Sequence, residues 1–354
     1  MTNATYGTAA SALLACLVVS CAPVARDAAR PDTSGTIALA AAGATFPYPV
    51  YTRWFSRFGD ETAIRVTYQS VGSGAGMRAL RDGSADFAAT DAPLSASDRE
   101  LLSERGIRQV PLIVGGAAVA YQVPGLARQL RFDGAAVADI FLGRITRWND
   151  PRLVALNPDV TLPADSIRVV TRGDSSGTSW ILTDYLSRVS AAWATGPGRS
   201  TFPSWPVGRR VRGNEGVAAE IKATEYAVGV VEAVYAMQNR LPVARIRNHA
   251  GAWVTPQTGA LRAAASAMLS SIEDTVEFAT SISDAPGELS YPMASLSWLI
   301  VPTRGIEAPR RAAIEQFVRW ALEAGEADAL ALGYAPLPEP MRRTLQRQWA
   351  DRSR

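Results

Sequence analysis

From Ile37 onward, short runs rich in β-branched and aromatic residues alternate with stretches whose apolar positions recur at helical spacing. The run AIRVTYQSV (63–71) predicts a strand, and GAGMRALRDG (74–83) predicts a short helix closed by Gly83. ADFAAT (85–90) predicts a short strand ending just before Asp91. QVPLIVGGAAVAYQV (109–123) is apolar throughout, as expected of buried strands, with a joint at Gly115-Gly116. SIRVVTR (166–172) predicts a strand, and SGTSWILTDYLSRV (176–189) a helix opened by hydroxyl residues. YAVGVVEAVYAM (226–237) and SLSWLIVP (295–302) are further strand candidates. Residues 306–330 carry Ile314, Phe317, Val318 and Ala321 at core-facing spacing and predict a helix; an Ala-rich helix is expected at 260–270. Strands alternating with helices imply α/β layers with largely parallel sheets. No internal repeat is seen.

Composition narrows the function classes. At 354 residues the chain can bury two cores of ordinary domain size. A net charge of +3 without a run of consecutive basic residues gives no nucleic-acid patch. Cys16 and Cys21 are the only cysteines and His249 is the sole histidine, so a cysteine metal site and any pair of imidazoles are excluded from the rest of the chain. No metal or cofactor is expected, and His249, in RIRNHAG, reads as a loop or surface residue. Residues 1–21 read as an export signal: Ala9 to Ser20 is small and apolar, too short to span a bilayer, and Val18, Val19 and Ser20 precede Cys21 as in a bacterial lipobox. Lipidation of Cys21 and ordinary secretion are the two readings of that segment. Residues 22–37, rich in Ala, Pro, Ser and Asp, read as a tether.

Four segments could carry chemistry. GATFP (43–47) puts Thr45 and Phe46 at the start of a helix whose Val50, Trp54 and Phe58 form a stripe. VGSGAGM (71–77) places Ser73 in a glycine-rich turn before a helix, and TRGDSSGTSW (171–180) places Arg172, Asp174, Ser176, Gly177 and Thr178 at a strand-to-helix turn. ATDAPLS (89–95) puts Asp91 at a strand end. Helix N-termini with glycines and hydroxyls favour negative charge through unpaired N–H groups and the positive dipole end. Ser, Thr and Asp are also the ordinary helix caps, so each segment alone has a purely structural explanation. What the repetition adds is an anion site with one arginine beside Ser-Gly-Thr.

GATFPYPVYTRW, VGSGAG, DFAATDAPLS, FLGRITRWNDPRLVALNP, TRGDSSGTSWILTDYLSRV and GNEGVAAEIKATEYAVGVVE follow one another in an order that resembles the phosphate-binding proteins of Pst-type phosphate ABC importers. The resemblance spans about Ala40 to Tyr334 and is weakest over 242–290. It implies a two-domain periplasmic-binding-protein fold of type II, mixed sheets flanked by helices, with a hinged cleft. Residues 38–119 with 291–354 would form one domain and 120–290 the other. It also implies a phosphate site of Thr45, Phe46, Ser73, Asp91, Arg172, Ser176, Gly177 and Thr178, with Asp174 holding the Arg172 guanidinium. One departure stands in the second loop, where the family commonly has GSSGG and this chain has Gly72-Ser73-Gly74-Ala75-Gly76, losing a hydroxyl at position 74. The implied partners are inorganic phosphate and the membrane permease subunits with their ATPase. Neither nucleic acid nor catalysis is implied, and a monomer is expected in the periplasm or, lipid-anchored, on the outer face of the cell membrane.

A carboxylate in an anion site makes sense when the ligand carries a proton. Phosphate near neutral pH keeps at least one O–H, which needs an acceptor; sulfate has none, so its lone pairs would face Asp91. Three other readings remain at this stage. One is a receptor or scavenger for another tetrahedral oxyanion such as arsenate. Another is a dinucleotide enzyme, because Gly74-Ala75-Gly76-Met77-Arg78-Ala79 fits G-x-G-x-x-A. The last is a hydrolase using Ser175 or Ser176 with His249 as base.

Overall fold

The computed structural model describes residues 35–126, 128–269 and 278–350. The export signal with Cys21, and the tether up to residue 34, lie outside them. Eleven strands are formed among the described residues: β1 Ile37–Gly43, β2 Ile64–Ser70, β3 Phe87–Thr90, β4 Ile107–Gln122, β5 Arg131–Phe132, β6 Arg168–Arg172, β7 Arg209–Val211, β8 Ala227–Glu232, β9 Arg245–Arg247, β10 Trp253–Val254 and β11 Ala294–Pro302. Eight of them make one sheet in the order β2-β1-β3-β11-β4-β8-β6-β7, and β10-β9-β5 form a small second sheet.

Pairing of β1 with β2 and β3, and of β6 with β7 and β8, is parallel. The middle of the sheet is antiparallel, with β11 against β3 and β4, and β4 against β8. The sheet is therefore mixed rather than largely parallel. Parallel pairs follow from the strand–helix–strand segments at each end. The antiparallel centre follows from β11, which returns from more than 170 residues away to lie beside β4.

β4 corrects the expectation of a joint at Gly115-Gly116: it is one strand of 16 residues. As far as Gly116 it pairs with β11, and from Ala117 it pairs with β8, so a single strand ties both halves of the sheet together. Gly115 answers a packing need, not a turn, because a Cβ there would run into the Phe46 ring. The candidate strand at 226–237 also divides, into β8 and a helix Ala233–Gln238, with Glu232 accepting a 2.8 Å bond from the Val234 N–H as its cap. The helix expected over 306–330 becomes Ala308–Ala324 and Glu326–Leu332. At Gly325, between them, a Cβ would sit 2.7 Å from the Trp54 ring, and the Gly325 carbonyl accepts from Trp54 Nε1 at 2.9 Å. Bringing an indole this close requires both the glycine and the break.

Helices Tyr48–Glu61, Ser73–Arg81, Gly177–Val189 and Thr258–Ala267 stand where the pattern puts them, to within two or three residues at their ends. Val50, Trp54 and Phe58 are fully buried, as their spacing requires, and Phe55 and Phe58 pack on Phe317 at ring distances of 4.9 and 5.3 Å. Each of the segments singled out above thus follows a strand and opens a helix, except ATDAPLS, which leaves β3 directly; β1, β2 and β3 run toward the middle of β4 from one half of the sheet and β6 from the other.

Candidate functional site

The three residues after β1 expose their backbone in an unusual way. The carbonyls of Ala44, Thr45 and Phe46 accept 2.7 Å bonds from the hydroxyls of Tyr68, Tyr235 and Tyr334, respectively. Burial keeps the Tyr235 and Tyr334 phenols well above their usual range, so they remain neutral donors. With its carbonyls tied outward, this segment leaves the N–H groups of Thr45 and Phe46 without an acceptor among the described residues, although both residues are buried. The N–H groups of Ser73 and Thr178, at the starts of helices Ser73–Arg81 and Gly177–Val189, are likewise unpaired among the described residues. Orphan buried amides are rare, and four of them in neighbouring loops point to an anion.

The loops are joined by direct bonds. Gly177 N–H donates to Ser73 Oγ at 3.1 Å, and Gly74 N–H donates to the Ser175 carbonyl at 3.2 Å. Arg172 gives Nε and Nη2 to Asp174 at 2.8 and 2.5 Å and Nη1 to Thr45 Oγ1 at 3.3 Å. Asp174 also accepts from Gly213 N–H at 3.2 Å, so the carboxylate locks the guanidinium to the backbone. Ser176 caps its helix through a 3.2 Å bond from Ser179 N–H, which leaves the Ser176 hydroxyl proton free to donate elsewhere. Thr45, Phe46, Ser73, Asp91, Arg172, Ser176 and Thr178 are all buried. The structure brings every one of the expected site residues into a single constellation.

Asp91 meets this constellation at Gly177, where a Cβ would lie 2.5 Å from Asp91 Oδ2, so only glycine admits the carboxylate at this helix start. The other oxygen, Oδ1, accepts from Ser297 Oγ at 2.7 Å. Burial pushes the Asp91 carboxyl up to about 7, against the lowering pull of Ser297 and the Arg172 charge. One oxygen is thus held by a hydroxyl on β11 and the other faces the helix start, poised to accept a proton-bearing ligand oxygen.

Three side chains here escaped the sequence reading. Ser297 lies on β11 more than 200 residues from Asp91, and nothing in SLSWLIVP distinguishes it from a strand-face serine. Asn214 opens helix Gly213–Ala223, is fully buried, and donates from Nδ2 to Thr45 Oγ1 at 2.9 Å. Its signal was present in GNEG, a glycine–polar helix start like the others. Glu232 is buried beside Gly115, and burial holds it well above the usual carboxylate range.

The geometry also counts against two competing readings. The turn at Gly74 that would have to receive a pyrophosphate is filled by Ser175, whose side chain would collide with a Cβ at position 74. The same crowding explains why position 74 lacks the hydroxyl expected from the resemblance. Ser175 Oγ donates to Thr201 Oγ1 at 3.0 Å, whereas His249 is exposed with Nδ1 3.3 Å from Asp284. Neither Ser175 nor Ser176 has an imidazole partner.

Comparison with known proteins places this arrangement. A family model described as the PBP superfamily domain matches residues 28–324. The phosphate-binding protein PstS of Pasteurella multocida is 38% identical over 312 residues, covering 88% of this chain and 89% of that protein. The protein of the same name from Methanocaldococcus jannaschii is 36% identical over 328 residues, 87% of this chain and 84% of its own. Among solved structures, a phosphate-binding protein from Stenotrophomonas maltophilia superposes with a TM-score of 0.66 at 18% identity, covering 88% of this chain and 93% of its own. A human phosphate-binding apolipoprotein gives 0.68 at 19% identity with the same coverage. At these identities the structures speak for the fold.

Proposed function

This chain belongs to the phosphate-binding protein PstS family within the PBP superfamily, and from that premise we propose that it captures inorganic phosphate outside the cytoplasmic membrane and delivers it, chemically unchanged, to an ABC importer. The observation that carries the reading is the set of four unpaired amides, on Thr45, Phe46, Ser73 and Thr178, gathered around Arg172 and one buried carboxyl.

In this reading the amides, the hydroxyls of Thr45, Ser73, Ser176 and Thr178, and the two Arg172 N–H groups not engaged by Asp174 or Thr45 donate to phosphate oxygens. Gly177 supplies the close approach and Asp91 accepts the ligand's own O–H. Each oxygen of a tetrahedral anion receives several donors, charge-assisted and shielded from water. Sulfate offers the same negative oxygens but no proton, so it leaves Asp91 unpaired and repelled, at a cost on the order of a few kcal/mol.

Residues 38–119 with 291–354 make one lobe and 120–290 the other, joined through β4 and the segment before β11, so that the loops of 43–95 and of 171–178 close on the ligand from opposite sides. Permease subunits and their ATPase are the partners, and the protein acts as a monomer in the periplasm or held at the outer face of the membrane by lipid on Cys21. No described helix is long and apolar enough to cross a membrane.

Titration calorimetry with phosphate, sulfate and arsenate between pH 5 and 9 tests the reading. Saturable phosphate binding with arsenate as a weaker competitor is expected, with no heat from sulfate at pH 8 and 9, where Asp91 is ionised, and a weaker rejection toward pH 5, where its carboxyl carries a proton; equal affinity for sulfate at pH 8 and 9 would refute the role given to Asp91. Mass spectrometry of the mature N-terminus decides whether Cys21 carries lipid.

A further inference from the structure

Asn214 touches two of the hydroxyls assigned above, and its amide can stand in one orientation only. Its Oδ1 lies 3.0 Å from the backbone N–H of Glu232, a group that only donates, so the oxygen must face Glu232. The Nδ2 group is thereby turned toward Thr45 and Thr178, and its two protons match two acceptors, Thr45 Oγ1 at 2.9 Å and Thr178 Oγ1 at 3.2 Å. The reverse polarity, Thr178 donating to Asn214 Oδ1, spans 3.4 Å and is the poorer contact. Thr45 Oγ1 receives two more donors, Arg172 Nη1 and the Asn214 backbone N–H, both at 3.3 Å. An oxygen surrounded by donors has no use there for its own proton, and that proton must leave along the remaining direction. All three side chains are buried, so water does not compete for these bonds.

From this geometry, and resting on the phosphate reading above, we propose that Asn214 is a positioning residue that fixes the hydroxyls of Thr45 and Thr178 as donors toward the anion. A threonine hydroxyl left to itself can present either a proton or a lone pair to its neighbour. Facing an anion, the second choice repels. By occupying the acceptor side of both oxygens before the ligand arrives, the Asn214 amide removes the wrong rotamers and keeps an anion from having to reorganise the site. Glu232 enters only through its backbone N–H, as the fixed point that orients the amide. A buried amide suits the task because it is neutral and cannot exchange its donor for an acceptor once its oxygen is held.

The test is a double-mutant cycle read by calorimetric titration of the full chain with inorganic phosphate at pH 8. Asn214→Ala is expected to weaken phosphate binding at least tenfold, and to cost at least threefold less when introduced on Thr45→Val, where one of the two oriented hydroxyls is already gone. Equal losses in both backgrounds would overturn the proposal, because a residue that merely holds the helix start does not notice the Thr45 hydroxyl. Should Asn214→Ala melt out in the absence of phosphate, the isosteric Asn214→Asp takes its place in the same cycle. Its carboxylate still accepts from Glu232 N–H but turns the Nδ2 donor into an acceptor; a loss equally large with and without the Thr45 hydroxyl would mark simple charge repulsion and again overturn it. A wild-type chain that takes up no phosphate refutes the preceding functional reading and this inference together, whereas phosphate binding with uncoupled losses refutes this inference alone.

Discussion

Asp91 concentrates the chemistry of the site in one side chain. Its carboxyl is pushed from its usual 3.8 to about 7 by burial, so the folded protein binds this proton more tightly than the unfolded chain does. The sign follows: the group's contribution to folding is complete below about pH 4 and is lost as pH rises through 7, amounting to roughly 4 kcal/mol for a shift of this size. Ligand-free wild type should therefore lose stability between pH 4 and 8 in denaturant melts, and Asp91→Asn should flatten that slope. The same variant should narrow the gap between phosphate and sulfate affinities by about tenfold or more, since the amide no longer repels an unprotonated oxygen. Unchanged sulfate rejection in calorimetry would remove Asp91 from selectivity. Gly177 supplies a second check at this scale. A methyl group there would overlap Asp91 Oδ2, so Gly177→Ala should cost about 1–3 kcal/mol of phosphate binding, read by the same titration.

Among the elements, the strands and helices that obeyed a local period were legible in the sequence, and those shaped by a distant partner were not. Helix Tyr48–Glu61 declared itself through Val50, Trp54 and Phe58, and the strand-to-helix turns around Ser73 and Gly177 through their glycines and hydroxyls. Gly115 read as a joint because two adjacent glycines usually mark one; the Phe46 ring that fills the space above it is about 70 residues away in the chain. Gly325 fell inside the helix expected over 306–330 because nothing nearby in the chain announces Trp54. These two glycines predict opposite outcomes. Gly325→Ala drives a Cβ into the Trp54 indole and should destabilise the fold by about 1–3 kcal/mol in chemical denaturation while leaving phosphate affinity unchanged. Gly115→Ala presses on Phe46, whose N–H is one of the four unpaired amides, and should lower stability and phosphate affinity together. If Gly115→Ala lost stability alone, the link from the centre of β4 to the anion site would be broken.

Across the whole molecule, the site is assembled from loops that follow β1, β2, β3 and β6 and from two side chains, Asn214 and Ser297, supplied by later parts of the chain. The sequence displayed the loops but not what aims them. Tyr68, Tyr235 and Tyr334 reach the carbonyls of residues 44–46 from positions that carry no motif; the first two act on the peptides whose N–H groups belong to Thr45 and Phe46, whereas the Phe46 carbonyl is joined to Pro47, which has no N–H, so Tyr334 only fixes the path of the segment. A site built this way leaves buried donors unsatisfied until an anion arrives, and each such donor costs about 1–3 kcal/mol while it waits. Binding should therefore stabilise the entire fold. At a phosphate concentration a thousandfold above the dissociation constant the gain is about 4 kcal/mol by mass action, visible as a rise in melting temperature that sulfate does not produce. Hydrogen exchange locates the effect. The amides of Thr45, Phe46, Ser73 and Thr178 come from three separate stretches of chain and have no acceptor among the described residues, so all four should slow together when phosphate is added. Tyr235→Phe, which leaves the Thr45 carbonyl only its 3.3 Å bond from the Tyr48 N–H, should weaken protection most at the neighbouring Phe46 N–H, the donor of the same peptide unit. Protection confined to one loop would mean that the anion sits on a single helix end, and the shared cradle would have to be abandoned.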